Sequence, residues 1–135
     1  MRRGKDEAQR WITQAQIDLE WAERIASEGG YHIACFLAQQ VAEKALKAFL
    51  YWCGEELVIG HSVVKLCKWC AQHDEDFKEK EKKWAFLDTF YIPTRYPNGI
   101  PDGIPAEVYN EKTAKEAVDA AREVVSFVLS KLKEG

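Results

Sequence analysis

The stretch Ala38–Leu50, AQQVAEKALKAFL, constrains the fold more than any other part of the chain. Wound at about 100° per residue, its five polar side chains (Gln39, Gln40, Glu43, Lys44 and Lys47) fall within an arc of roughly 140°. Val41, Ala42, Ala45, Leu46, Phe49 and Trp52 cover the rest of the circumference. Ile33, Phe36 and Leu37 lie one turn before the arc, and Leu50 and Tyr51 one turn after it. A helix this apolar is normally buried. Its polar arc is then either a small window to solvent, as charged helix residues usually are, or a prepared site.

The neighbouring segments also read as helices. Ala8, Trp11, Ile12, Ala15, Leu19, Ala22 and Ile25 recur at helical spacing, predicting a helix from about Lys5 to Glu28 that Gly29-Gly30 ends. The second helix spans Tyr31 to Trp52 and closes at Gly54. Ser62 offers an N-cap for a third, running to about Gln72. Asp76 with Glu79 resembles a capping box for a fourth, reaching about Tyr91. The last helix, about Glu111 to Lys133, repeats Ala114, Ala117, Val118, Ala121, Val124, Val125, Val128 and Leu132. No segment shows the two-residue alternation of a half-buried strand. The expected class is all-α: an up-and-down bundle of about five helices in one domain, residues 1–135.

All four prolines, Pro93, Pro97, Pro101 and Pro105, fall between Tyr91 and Tyr109. Proline at every fourth position cannot be helical, so 92–108 is expected to be one irregular loop between the fourth and fifth helices. Loops of that length inside a domain tend to be functional or disordered. The prolines and Tyr91, Tyr96 and Tyr109 favour order. Arg95 is the only positive charge from Trp84 to Glu111. Its planar fork of donors suits it to hold an anion, and pairing with a nearby helix carboxylate such as Asp88 is the plainer alternative. His61, just before the third helix, stands where backbone N–H groups and the macrodipole attract anions. It completes a polar cluster with Gln40, Glu43, Lys44 and Arg95 if the bundle folds back that way, or is a surface histidine beside a cap.

A net charge of −3 gives no global footprint for nucleic acid, though a local one remains open. No apolar run approaches the length of a membrane span, and the basic N-terminus is followed by no signal-peptide core. The expected compartment is the cytoplasm. Four cysteines fit it: Cys35 and Cys53 read as small core residues. Cys67-x-x-Cys70 with His73 has the spacing of a partial zinc or redox site. However, no second Cys/His pair follows, and Val63, Leu66, Cys67 and Cys70 share one helical face, so core is the preferred reading. No metal or cofactor is expected. Lys78–Lys83, KEKEKK, reads as a solvated face.

Four motifs in order carry a resemblance. They are Trp11-x-x-x-Ala15-x-x-Asp18-Leu19-x-x-Ala22, Gln39-Gln40-x-x-Glu43-Lys44-x-x-Lys47-Ala48, Gly60-His61-Ser62, and Leu87-Asp88-x-x-Tyr91-Ile92-x-Thr94-Arg95-Tyr96-Pro97. Together with the long final helix, they resemble the HEPN domain family (higher eukaryotes and prokaryotes nucleotide-binding) along nearly the whole chain. The resemblance implies a helical bundle, often a homodimer. It also implies pairing with a minimal nucleotidyltransferase encoded nearby, as in toxin–antitoxin modules. Many members are metal-independent ribonucleases that use an arginine followed four to six residues later by a histidine. Arg95 matches the family's loop arginine, but no histidine follows His73, and Arg24 to His32 has seven residues between. A nuclease here would need His61 to act from another helix. The expectation is therefore a binding or accessory protein holding a nucleotide or phosphate through Arg95, Tyr96, Gln40, Glu43, Lys44, Lys47 and His61. The alternatives are a ribonuclease using Arg95 with His61, and a purely structural interaction subunit.

Overall fold

Helix α2 (Tyr31–Trp52) is the axis of the structure, and between Ala38 and Tyr51 only Gln40 and Lys44 are not buried. The computed structural model describes residues 2–134. Around α2 it arranges α1 (Arg2–Ser27), α3 (Val63–His73), α4 (Lys78–Trp84), α5 (Pro105–Val108) and α6 (Glu111–Glu134). No strand occurs among the described residues, and none of their helices is long and apolar enough to cross a membrane.

The packing follows from the apolar spacing. Ala8, Ile12, Ala15, Leu19 and Ala22 of α1 are buried against α2, three or four residues apart. The two helices run antiparallel and close together. A side chain at Gly4 would place its Cβ 2.6 Å from the Tyr51 carbonyl oxygen, and Gly30 meets Ile25 at the other end. Gly29, at φ +93°, turns the chain between them, and the Gly30 N–H donates back to the Ile25 carbonyl at 3.0 Å. α6 lays its Ala114–Val128 stripe on α2. Beyond it lies an aromatic layer: Phe49 on Phe77 (4.6 Å between centroids), Phe77 edge-on to Phe127 (4.9 Å), and Trp84 against Phe127 (5.7 Å).

The expected fourth helix is corrected. Asp74, not Asp76, provides the cap, accepting from the Asp76 N–H at 3.0 Å, while the Asp76 carboxylate goes to Lys131 of α6. The chain then runs as a 3₁₀ turn (Glu75–Phe77), α4, and a second 3₁₀ segment (Ala85–Phe90). Trp84, Leu87 and Phe90 are all buried, and their three-residue spacing places them on one face at three residues per turn. The loop is likewise not wholly irregular. Pro97–Gly99 is a 3₁₀ turn, and Pro105 opens the one-turn α5, where its fixed φ and missing N–H suit a first helical position.

Candidate functional site

The polar arc of α2 is not a window to solvent. Gln39, Glu43 and Lys47 are buried, and His61, in the 55–62 connector, bonds to the first two. Each finds a partner, as burial of polar groups demands. Gln39 Nε2 donates to the His61 carbonyl at 2.7 Å and Gln40 Nε2 to Gln39 Oε1 at 2.8 Å. Glu43 is the hub, with Lys47 Nζ 3.4 Å from Oε2 and His61 Nδ1 3.1 Å from Oε1. The Lys47 ammonium also lies over the Trp11 ring, 5.4 Å from its centroid. Lys44 pairs with Asp18 of α1. The five arc residues thus divide into a buried inner row and a half-buried rim of Gln40 and Lys44.

Glu43 fixes the histidine. A carboxylate only accepts, so Nδ1 of His61 carries the proton and Nε2 is the ring's remaining nitrogen. The side chain is 61% exposed, which leaves that nitrogen open to a ligand. The ring stacks on Tyr91 at 5.1 Å and 17°. Arg95 also lies against Tyr91, its guanidinium carbon 4.7 Å from that ring, 4.5 Å from Phe36 and 5.2 Å from Tyr96. His61 and Arg95 are therefore brought together on one tyrosine from segments more than thirty residues apart in sequence. Arg95 Nε donates to the Tyr91 carbonyl at 2.8 Å. Among the described residues its two terminal nitrogens donate to no protein acceptor. An arginine anchored by its inner edge and aromatic faces, with the outer edge exposed, is prepared for a planar or tetrahedral anion. Tyr96 beside it is half exposed.

Asp88 is elsewhere. Its carboxylate accepts from Ser62 Oγ (3.0 Å), the Val63 N–H (2.6 Å) and the Val64 N–H (3.0 Å). The alternative pairing of Arg95 with Asp88 is thus not formed, and the start of α3, expected to attract an external anion, already holds an internal one. Ser62 does cap α3, accepting from the Lys65 N–H at 3.1 Å. Asp88 and Phe36 are the site residues whose roles sequence reasoning missed. Asp88 lies 24 to 26 residues from the groups it caps, and nothing local to it signals that pairing.

Cys67 and Cys70 are core residues. Their thiols point at the Phe77 and Leu46 carbonyls, and burial pushes Cys67 up to about 12 and Cys70 well above its ordinary value, which disfavours the thiolate. His73 is taken by Glu55, 2.9 Å away, which also accepts from Trp69 Nε1 at 2.7 Å.

A helical bundle wrapped on one buried helix, with a polar cluster joined through His61 and Tyr91 to the start of a Pro-rich loop, defines the class. The HEPN domain family matches residues 8–132, and the chain belongs to that family. It is similar to TT1696 from Thermus thermophilus, whose crystal structure superposes with a TM-score of 0.78 at 38% identity, covering 93% of this chain and 98% of that one. It is also similar to ST0689, an archaeal HEPN homologue, with a TM-score of 0.71 at 35% identity, again covering 93% of this chain and 98% of that one. A search of curated proteins found no match.

Proposed function

We propose that this HEPN chain, a single domain, is a binding module that holds the phosphate of a nucleotide at Arg95. The observation that carries this reading is the arginine itself, fixed by the Tyr91 carbonyl and three aromatic rings yet offering two terminal nitrogens to solvent. His61 Nε2 supplies a second polar contact and Tyr96 an aromatic face for a base. Gln39, Glu43 and Lys47 act from beneath, holding His61 in place, while Gln40 and Lys44 border the site. In this reading the chain works in the cytoplasm as a homodimer and as the accessory subunit of a minimal nucleotidyltransferase, in the manner of toxin–antitoxin pairs.

Calorimetric titration with AMP, ATP and inorganic phosphate tests the ligand reading. Wild type binds the nucleotides, Arg95→Ala weakens binding about tenfold or more, as loss of a charge-assisted pair does, and Arg95→Lys retains part of it. Binding unchanged in Arg95→Ala would sink the assignment. Co-elution with a nucleotidyltransferase encoded beside it tests the partner separately.

One observation favours a second reading, ribonuclease activity. The Glu43–His61 hydrogen bond sets the tautomer that a general base needs, and Arg95 on the same tyrosine supplies a charge for a scissile phosphate. RNA cleavage in excess EDTA, lost in both Arg95→Ala and His61→Ala, would favour it over binding alone.

A further inference from the structure

We infer that the outward face of α1 packs antiparallel on the same face of a second copy of this chain. Arg10, Gln14, Ile17, Trp21, Arg24 and Glu28 are all exposed, and their spacing alternates between four and three residues. That is the spacing of a coiled-coil seam, here a stripe about 27 Å long. It lies opposite the buried row of Ile12, Ala15, Leu19 and Ala22. Glu28 stands just past the helix end, its N–H still bonded to the Arg24 carbonyl at 3.1 Å. At the middle of the stripe are Trp21 and Ile17, 54% and 45% exposed. Along α6, the other long outer helix, no large apolar side chain is exposed among the described residues.

The stripe is complementary to itself. A two-fold contact joins the same patch of both subunits, so the position of the axis fixes every pairing. With the axis level with Leu19, Ile17 of one copy meets Trp21 of the other, Gln14 meets Arg24, and Arg10 meets Glu28. The contact then has two apolar layers at its centre, a polar layer outside each, and an ion pair closing each end. Tryptophan and arginine are the side chains that most often carry interface energy. The end charges are at liberty to exchange partners. Arg10 is held by Glu7 and Glu28 by Arg24, in exposed pairs within one helix turn that contribute little to the fold. Beside the Arg10 end, a groove of about 350 Å³ walled by Trp11 and Lys44 gives the Arg24–Glu28 turn of the second copy a place to seat. On one flank near the axis, Asp18 is already held by Lys44. On the other, Glu20 faces its own copy, a repulsion that Glu20→Gln should relieve by tightening association.

The inference rests on the homodimer reading above, whose contact face it names, and not on the Arg95 ligand. Its test is sedimentation equilibrium of the full chain in low salt, from low micromolar to submillimolar concentration. Wild type is expected to dimerise. Trp21→Ala, Arg10→Glu and Glu28→Arg should each weaken the dimer about tenfold or more, with helical content by circular dichroism unchanged. Arg10→Glu sets carboxylate against carboxylate in both end layers, and Glu28→Arg sets cation against cation. An equimolar mixture of these two variants should therefore dimerise as wild type does, because the mixed pair restores opposite charges at both ends. A wild-type dimer that none of the three substitutions weakens would leave the homodimer standing and overturn the α1 face. Weakened single variants whose mixture is not restored would overturn the antiparallel contact. A monomeric wild type would overturn both the face and the homodimer.

Discussion

Asp88 shows how one side chain ties distant segments of the candidate site together. Its carboxylate fastens the segment that carries Tyr91 and Arg95 to the start of α3, and hence to His61. Replacing it with alanine strips an acceptor from Ser62 Oγ and from two backbone N–H groups, and a lost cap costs about 1–2 kcal/mol. Asp88→Ala is therefore expected to lower unfolding free energy by about 2 kcal/mol in urea denaturation, and Asp88→Asn, which keeps one acceptor oxygen, by about half. Arg95→Ala should leave the melting temperature nearly unchanged, because Arg95 is exposed and its hydrogen bond is to a loop carbonyl. At this scale the sequence was partly readable. Arg95 stood out by its isolation and His61 by its place before a cap, yet the link between them depends on a residue more than twenty positions from the start of α3.

Among the elements, helix bounds were legible wherever the signal is local. Gly29 ended α1, Ser62 capped α3, and the alanine–valine stripe defined α6. The fourth helix was less legible, because Asp74 and Asp76 are chemically equivalent caps, and both carboxylates also pair with Lys131 of α6, more than fifty residues on. Burial opposes ionisation of Asp74, but hydrogen bonds from Lys131 and the Asp76 N–H and the ammonium charge outweigh it. The carboxyl sits below its ordinary value. The sign follows directly. A depressed carboxyl stabilises the fold fully above its unfolded pKa of about 4, and that contribution is lost as pH falls through the folded value. Asp74→Asn is thus expected to melt several degrees below wild type at pH 7, with the gap narrowing as pH is lowered from about 4 toward 2. A gap that stays constant across those melts would show that the ion pair with Lys131 contributes nothing.

Taken whole, the molecule is organised around α2 and sealed by the aromatic layer at Phe77, Trp84 and Phe127. Trp84 is fully buried, and its indole N–H donates to Glu123 at 3.0 Å. Trp84→Ala should cost about 3–5 kcal/mol, measured by denaturation; less than about 1 kcal/mol would mean the layer is loosely packed. The all-α bundle could be read from hydrophobic periods alone, whereas the partners of the polar arc could not, because His61 reaches it from a connector with no regular period and Trp11 from another helix. The loop adds a last point. Thr94 and Pro105 are buried, and none of the residues 95–104 between them is. Two studs pin the segment, and what hangs between them can be exchanged without reopening the core. On the binding reading proposed above, ligand preference is therefore a removable part, and a bundle of this kind would change what it recognises while its interior stays the same.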